Sequence, residues 1–427
     1  MISRTRLGLA LLAAAGTLAC SSNDSSTTNP CAGVTDACVG FPEATSADAI
    51  SAALATAADG TTFVFGPGRF VFTNLAAGEL DVTAANITIR GAGRHATVLD
   101  FGGHGTQGIL ATGDHFTLED LDIIDSGGNG VKVLAVDYVT IRNVHVSWSS
   151  DDLDTHGGYG IYPVQSHHVL VEDCFTSGAN DTGVYIGQSQ DVIARNNEST
   201  GNVAGLEIEN CFDADVHDNY LHGNTGGILV FDLPTLAQQG GHGIRVFDNH
   251  VIANNHFNFA PDLGSTLAMV PAGAGITIMA NHDVEVFGNL IQENQSTGVS
   301  VISYMLTGQE ITDPNYYPFP SNIDIHDNIM VWNGTSPDVN VPLGGALAQI
   351  QAQVFGGSPL PDVIWDGIPL GGGENPNMIC AGSTHSWLSL GTYATGGDPP
   401  IGFVPSVASG PYRCSDDLAA LPPVTPW

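Results

Sequence analysis

The chain has 427 residues, with 44 acidic against 10 basic side chains, a formal net charge of −34, 53 glycines, 23 prolines and only 13% charged residues. That length exceeds one ordinary compact core, and a charged fraction about half the usual ~25% excludes helical bundles and coiled coils, whose surfaces are rich in Lys, Glu and Arg. Lys132 is the single lysine, so no basic stripe exists to neutralise phosphates and nucleic acid is excluded as a partner.

The first element is an address. Arg4 and Arg6 precede a run of small and apolar residues from Leu7 to Ala19, the layout of a secretory signal and too short to cross a bilayer. Thr17-Leu18-Ala19-Cys20, followed by a Ser/Asn/Asp stretch, resembles a bacterial lipoprotein cleavage site, with Thr17 where Leu is usual. The expected order is a signal peptide over 1–19 and a tether over 20–43 carrying lipid on Cys20. The product is then an outer-membrane lipoprotein of the cell envelope, or a secreted protein. An exported chain can form disulfides. Cys31 pairs with Cys38 and Cys380 with Cys414 in this reading, while Cys174 and Cys211 sit in strands as buried thiols. The cysteine spacings match no strong zinc pattern, and the scattered histidines, His167-His168 included, show no accompanying ligand set.

Ser46 to Ala58 carries Ala47, Ile50, Ala53, Leu54 and Ala57 on one face and predicts a short amphipathic helix that caps the N-terminal coil. A repeat then begins. Ile87-Thr88-Ile89-Arg90, Phe116-Thr117-Leu118-Glu119, Val139-Thr140-Ile141-Arg142, Val169-Leu170-Val171-Glu172 and Val192-Ile193-Ala194-Arg195 are successive alternating strands, continued at Ala214, Ile244, Val284 and Ile323. A basic coil of 22 to 23 residues, lengthened by insertions at some turns, is the signature of a solenoid. Asn197, Asn219, Asn249, Asn289 and Asn328 each stand three residues past the third residue of their repeat strand, a pattern suited to a stacked Asn ladder at a tight turn. A second strand opens each coil, as in Gly130-Val131-Lys132-Val133 and Gly205-Leu206-Glu207-Ile208. These features predict an all-β, right-handed parallel β-helix over 44–331. A Pro/Gly-rich C-terminal cap over 332–427 would cover the open sheet edge.

Gly160-Ile161-Tyr162-Pro163-Val164-Gln165-Ser166, Gly183-Val184-Tyr185-Ile186-Gly187-Gln188-Ser189, Gly205-Leu206-Glu207-Ile208-Glu209-Asn210 and Gly226-Gly227-Ile228-Leu229-Val230-Phe231-Asp232-Leu233-Pro234 resemble the bacterial exported right-handed parallel β-helix repeat proteins. These belong to the pectin-lyase-like superfamily, related to polysaccharide lyases, mannuronan C5-epimerases and glycoside hydrolases. The resemblance covers roughly 45–330 and implies fold more than chemistry. The epimerase phrase Tyr-Gly-x-Asp-Pro-His-Asp falls on Tyr159 to Gln165, where Tyr162, Val164 and Gln165 replace its acidic and His positions.

Side chains alternate across a strand and neighbouring strands lie ~4.8 Å apart, so outward residues form columns. Lys132, Tyr162, Tyr185 and Glu207 share one column, Glu209 sits in a second, and Gln165, Gln188, Asn210 and Asp232 in a third. The candidate catalytic set is Lys132, Tyr162, Tyr185, Glu207 and Glu209. Substrate contacts are assigned to Gln165, Gln188, Asn210 and Asp232, and to Tyr304 and Tyr316, whose rings suit stacking on sugars. The insertions at 148–158, 233–243, 256–273 and 304–321 are expected to wall the groove. Asp151, Asp152 and Asp154 place three carboxylates within four residues and are the candidate Ca²⁺ ligands. A single outward polar residue is as often plain solvated flank.

Three functions are compatible with these residues. In a uronate lyase or epimerase, narrowly favoured, Lys132 is the base, Tyr162 the acid and loop-held Ca²⁺ neutralises the sugar carboxylate. In a glycoside hydrolase, Glu207 and Glu209 do the work; two residues apart on one strand, their Cα atoms are ~6.6 Å apart, compatible with inverting geometry. A non-catalytic glycan binder or structural spine needs neither. Polysaccharide is the expected partner, with the membrane reached through lipid on Cys20, and a monomer the expected state.

Overall fold

The computed structural model describes residues 29–75, 78–262, 264–373, 375–396, 401–414 and 418–427; Cys20 and the signal segment lie outside them. The chain winds into a right-handed parallel β-solenoid of about 13 turns. One sheet of 20 strands carries the repeat strands together with a short third strand per turn, and a second sheet of 11 strands carries the Gly-led strands. Each turn is in register with the next: Val139 pairs with Phe116 and Val169, and Val169 with Val192. Inward Ile, Val and Leu from both sheets fill one continuous core, where Ile89, Leu118, Ile141, Val171 and Val246 are fully buried. No helix is long and apolar enough to cross a membrane among the described residues.

The Asn ladder forms as the spacing predicts. Each Asn side-chain oxygen accepts the backbone N–H and the side-chain amide of the Asn one turn earlier, as from Asn219 to Asn249 at 3.0 and 2.9 Å. A parallel second ladder runs through Asn202, Asn224, Asn254, Asn294 and Asn333. Every one of these amides is buried, so a gap leaves donors and acceptors without water. Asn249→Ala strands the Asn219 N–H and the Val216 carbonyl, at ~1–3 kcal/mol per orphaned group. Chemical denaturation is expected to read a loss of about 3 kcal/mol, whereas a change below about 0.5 kcal/mol would rule out an energetic role for the ladder.

Both ends are closed. Helix α1 (Ala47–Ala55) is capped by Ser46, whose Oγ accepts from Ala49 N, and buries Ile50 and Leu54 over the first turn. Both expected disulfides are present, Cys31–Cys38 and Cys380–Cys414, while Cys174 and Cys211 are free and buried. Pairing does not stop at 331: Val363–Trp365 adds to the smaller sheet, Ile379–Ala381 to the larger, and Trp387–Ser389 to Val363–Trp365. A helix, α2 (Pro342–Val354), lies within the segment expected to form the C-terminal cap and buries Leu347 and Ile350. Residues 421–427 turn back along the large sheet. There Leu421 N donates to Glu285 and Val424 N to Asp215, and Trp427 sits edge-on to His168.

Arginines are consumed by ladders on the same face. Arg90, Glu119, Arg142, Glu172 and Arg195 alternate in register, with Arg195 Nη2 at 2.6 Å from Glu172. Arg245 pairs with Asp215 and Arg69 with Asp100.

Candidate functional site on the smaller sheet

The first two outward columns fall where the alternation places them. Lys132 pairs in register with Leu110 and Tyr162, and Tyr185 with Glu207, which is followed by Leu229, Thr277 and Ser300. Gly187, Glu209 and Phe231 form the adjoining column. Lys132, Tyr162, Tyr185, Glu207 and Glu209 are therefore brought together, and the fold adds three neighbours that the sequence pattern does not single out: Tyr159, Asp181 and Thr182. The Tyr159 ring packs 4.5 Å from that of Tyr162 and 4.6 Å from that of Tyr185, and Lys132 Nζ lies 4.9 Å above the Tyr162 ring.

Beneath these rings sit three carboxyl groups. Thr182 Oγ1 lies 2.9 Å from Asp181 Oδ1 and 2.9 Å from Glu207 Oε2. A hydroxyl donates one proton, so at most one of these contacts is made by the threonine; the other requires a protonated carboxyl as donor. Burial pushes Asp181 up to about 6. It drives Glu207 well above the usual carboxylate range, helped by the charges of Glu209 and Asp181. Glu209 is pushed up to about 7 by burial, against the pull of Tyr185, whose hydroxyl donates to its Oε1 at 2.6 Å. Burial and the neighbouring carboxylates raise Tyr159, Tyr162 and Tyr185, so the phenols stay protonated and serve as donors. Burial thus favours protons on this cluster, most strongly at Glu207, while the Tyr185 phenol orients Glu209.

Gly187 makes this contact possible. A Cβ there would collide with Tyr185 Oη, because the phenol crosses the strand at that position to reach Glu209. Gly187→Ala is expected to displace Tyr185 and cost about 10²-fold in turnover with little change in melting temperature. Unaltered turnover would show that the phenol contact is dispensable.

The insertions do more than wall the groove. The segments 254–262, 264–273 and 303–320 fold down onto the sheet, packing Ala260, Leu267, Val270, Tyr304 and Tyr316 on Leu229, Phe231, Met279 and Ile302. The floor is thus roofed from Leu229 onward and open toward Lys132, and the carboxyl cluster lies where the roof begins. This placement corrects several sugar contacts expected from sequence. Tyr304 and Tyr316 are 5% and 6% exposed, held edge to face inside the roof, with the Tyr316 hydroxyl donating to the Asp232 carbonyl. Asn210 is fully buried and bonded to Leu233 and Gln238, which pin the 233–238 loop. Asp232 is also buried; it accepts from Gly241 N, and burial pushes it up to about 6. Gln188 accepts from Ala237 N, and Gln165 stays exposed at the rim.

Asp151, Asp152 and Asp154 lie on an exposed loop, where Asp152 caps its own turn by accepting from Asp154 N. Their oxygens do not converge: among the described residues, the group whose ligand atoms come within 4.8 Å of one another is His95, Asp122 and His145. The donor set at 151–154 does not fit a calcium cage as it stands.

Residues 75–235 match the family model described as right handed beta helix region. The chain is a right-handed β-helix protein. Among curated proteins, none matches it. Among solved structures, this β-helix protein is similar to the A-module of Azotobacter vinelandii mannuronan C-5 epimerase AlgE6, at 19% identity over 66% of this chain and 81% of that chain, with a TM-score of 0.42. The AlgE4 A-module gives 16% over 69% and 85%, TM-score 0.41. A PL6 alginate lyase in complex with a trisaccharide gives 15% over 81% and 82%, TM-score 0.38.

Proposed function

We propose that the β-helix groove cleaves an extracellular polysaccharide by carboxyl acid–base hydrolysis, with Glu207 as the acid and Glu209 as the base or nucleophile. The observation that carries this is the Asp181–Thr182–Glu207 contact, which needs a carboxylic proton beside a phenol-oriented Glu209. In hydrolysis the acid protonates the leaving oxygen while the second carboxylate activates water or attacks the anomeric carbon. A neutral glycan suits the site, because Lys132 is the one cation on the groove floor among the described residues and the buried carboxyl cluster offers a uronate no further positive partner. Since the roof blocks the floor beyond Leu229, the proposed mode is exo: one chain end abuts the roof and bonds near it are cut.

A second reading rests on Lys132 above Tyr162. There the lysine, as base or as anchor of a sugar carboxylate, and the tyrosine, as acid, carry out lyase or epimerase-type proton transfer. Incubation with a panel of neutral and uronate polysaccharides separates the two readings: new reducing ends without ultraviolet absorbance support hydrolysis, and unsaturated products support the lyase. Turnover of neither substrate class points to a glycan binder. Export with lipid on Cys20 belongs to the same proposal, and incorporation of labelled fatty acid that Cys20→Ser abolishes is its test.

A further inference from the structure

We infer that His95, Asp122 and His145 form a zinc site on the large sheet, remote in the fold from the groove and independent of the function proposed above. The three residues come from successive turns. Asp122 and His145 stand directly opposite each other on neighbouring parallel strands, and His95 is delivered by the tight turn over 91–96, where its φ is 64°. Both imidazoles aim Nδ1 at the same carboxylate oxygen, His95 at 2.9 Å and His145 at 3.4 Å from Asp122 Oδ2. A tetrahedral ion with bonds of ~2.0–2.1 Å holds its ligand atoms ~3.3 Å apart, so these separations need only small adjustment to admit one.

Four further features point the same way. The other oxygen of Asp122 is already occupied, accepting from His95 N at 3.0 Å, which orients Oδ2 toward the rings and supplies the kind of outer bond that fixes a ligating carboxylate. Asp122 is 3% exposed. His145 Nδ1 is buried with no partner in hydrogen-bonding geometry, an orphan that a metal would satisfy. The neighbouring cation, Arg94, is turned onto the Phe175 ring, 5.8 Å from its centroid. Two imidazoles and one carboxylate are borderline ligands that favour zinc over calcium or magnesium, and three protein ligands leave a fourth position for water. A bound ion would pin three turns at once.

The test uses protein without a polyhistidine tag, stripped with chelator and titrated calorimetrically with ZnCl₂, with CoCl₂ as a spectroscopic probe. One equivalent of zinc is expected, with a melting temperature that rises with zinc and not with CaCl₂, and with cobalt giving the intense visible bands of a four-coordinate ion. His95→Ala, an exposed turn residue whose loss leaves the core intact, and Asp122→Asn should each weaken binding at least ~10-fold. Absence of binding, or one-equivalent binding that His95→Ala leaves unchanged, overturns the site. If Asp122→Asn fails to fold, His95→Ala alone decides.

Discussion

Glu207→Gln is expected to lower turnover on the best panel substrate by ~10²–10⁴-fold, the range for loss of a general acid, while leaving the fold intact. Glutamine keeps the shape of the side chain and still accepts from the Thr182 hydroxyl, but it has no acidic proton for a leaving oxygen. Lys132→Ala separates the two chemistries. In the hydrolase its effect falls on KM, because the ammonium touches the substrate only as part of the open floor. In the lyase or epimerase it falls on kcat by orders of magnitude. Turnover of Glu207→Gln equal to wild type at equal melting temperature would eliminate the carboxyl mechanism.

Stability is expected to fall as pH rises from about 5 to 8, the reverse of a protein held together by carboxylate ion pairs. Asp232 and Asp366 are fully buried, and burial pushes each from 3.8 up to about 6. Between those values the folded protein keeps a proton that the unfolded chain has released, so the stability of the fold declines with pH. A rise of that size corresponds to about 3 kcal/mol per group. Raised Glu207, Glu209 and Asp181 extend the decline to neutrality and beyond. His326, where hydrogen bonds to Asp327 and Glu285 outweigh burial, acts in the same sense, while buried His282 and His385, shifted down, oppose it. At the acid end the sign reverses. Asp122 and Glu172 are lowered, burial being outweighed by His145 and His95 in one and by Arg142 and Arg195 in the other, and their contribution is lost as pH drops below their ordinary range. Thermal melts across pH 3 to 8 should peak at about pH 4 to 5, and Glu207→Gln should flatten the alkaline limb. A melting temperature that climbs from pH 5 to 8 in the wild type would contradict the burial of these acids.

The solenoid was legible because its physics is local and repeated. Inward Ile and Val recur once per turn, so strands, register and the first Asn ladder could all be aligned from the residues alone. The second ladder carried the same signal, each Asn standing five residues after a member of the first. Asp122 and His145 both stand four residues after aligned Leu118 and Ile141, so their pairing was readable too, but no spacing along the chain marks a ligand set drawn from three separate turns. Tyr159 and Thr182 were hidden for another reason. The column rule assumes strict alternation, and at Tyr159 and Thr182 the chain turns a corner, so residues that alternation assigns inward face the groove. The roof was beyond reach because insertions have no repeat to align, and whether Tyr304 and Tyr316 face sugar or protein depends on where their loop lands.

The turned-back segment 421–427 bears on how the molecule is made. The ladder and sheet bonds of each turn reach only to the turns on either side of it. Asp215 and Glu285 are exceptions, because the backbone N–H groups they accept belong to Val424 and Leu421, which appear only after every strand of both sheets has been produced. The solenoid is thus a stack of turns bonded to their neighbours and tied by a C-terminal segment that reaches back across several of them. A chain that lacked this segment would keep the Arg245–Asp215 and His326–Glu285 pairs but leave one oxygen contact of each acid to water.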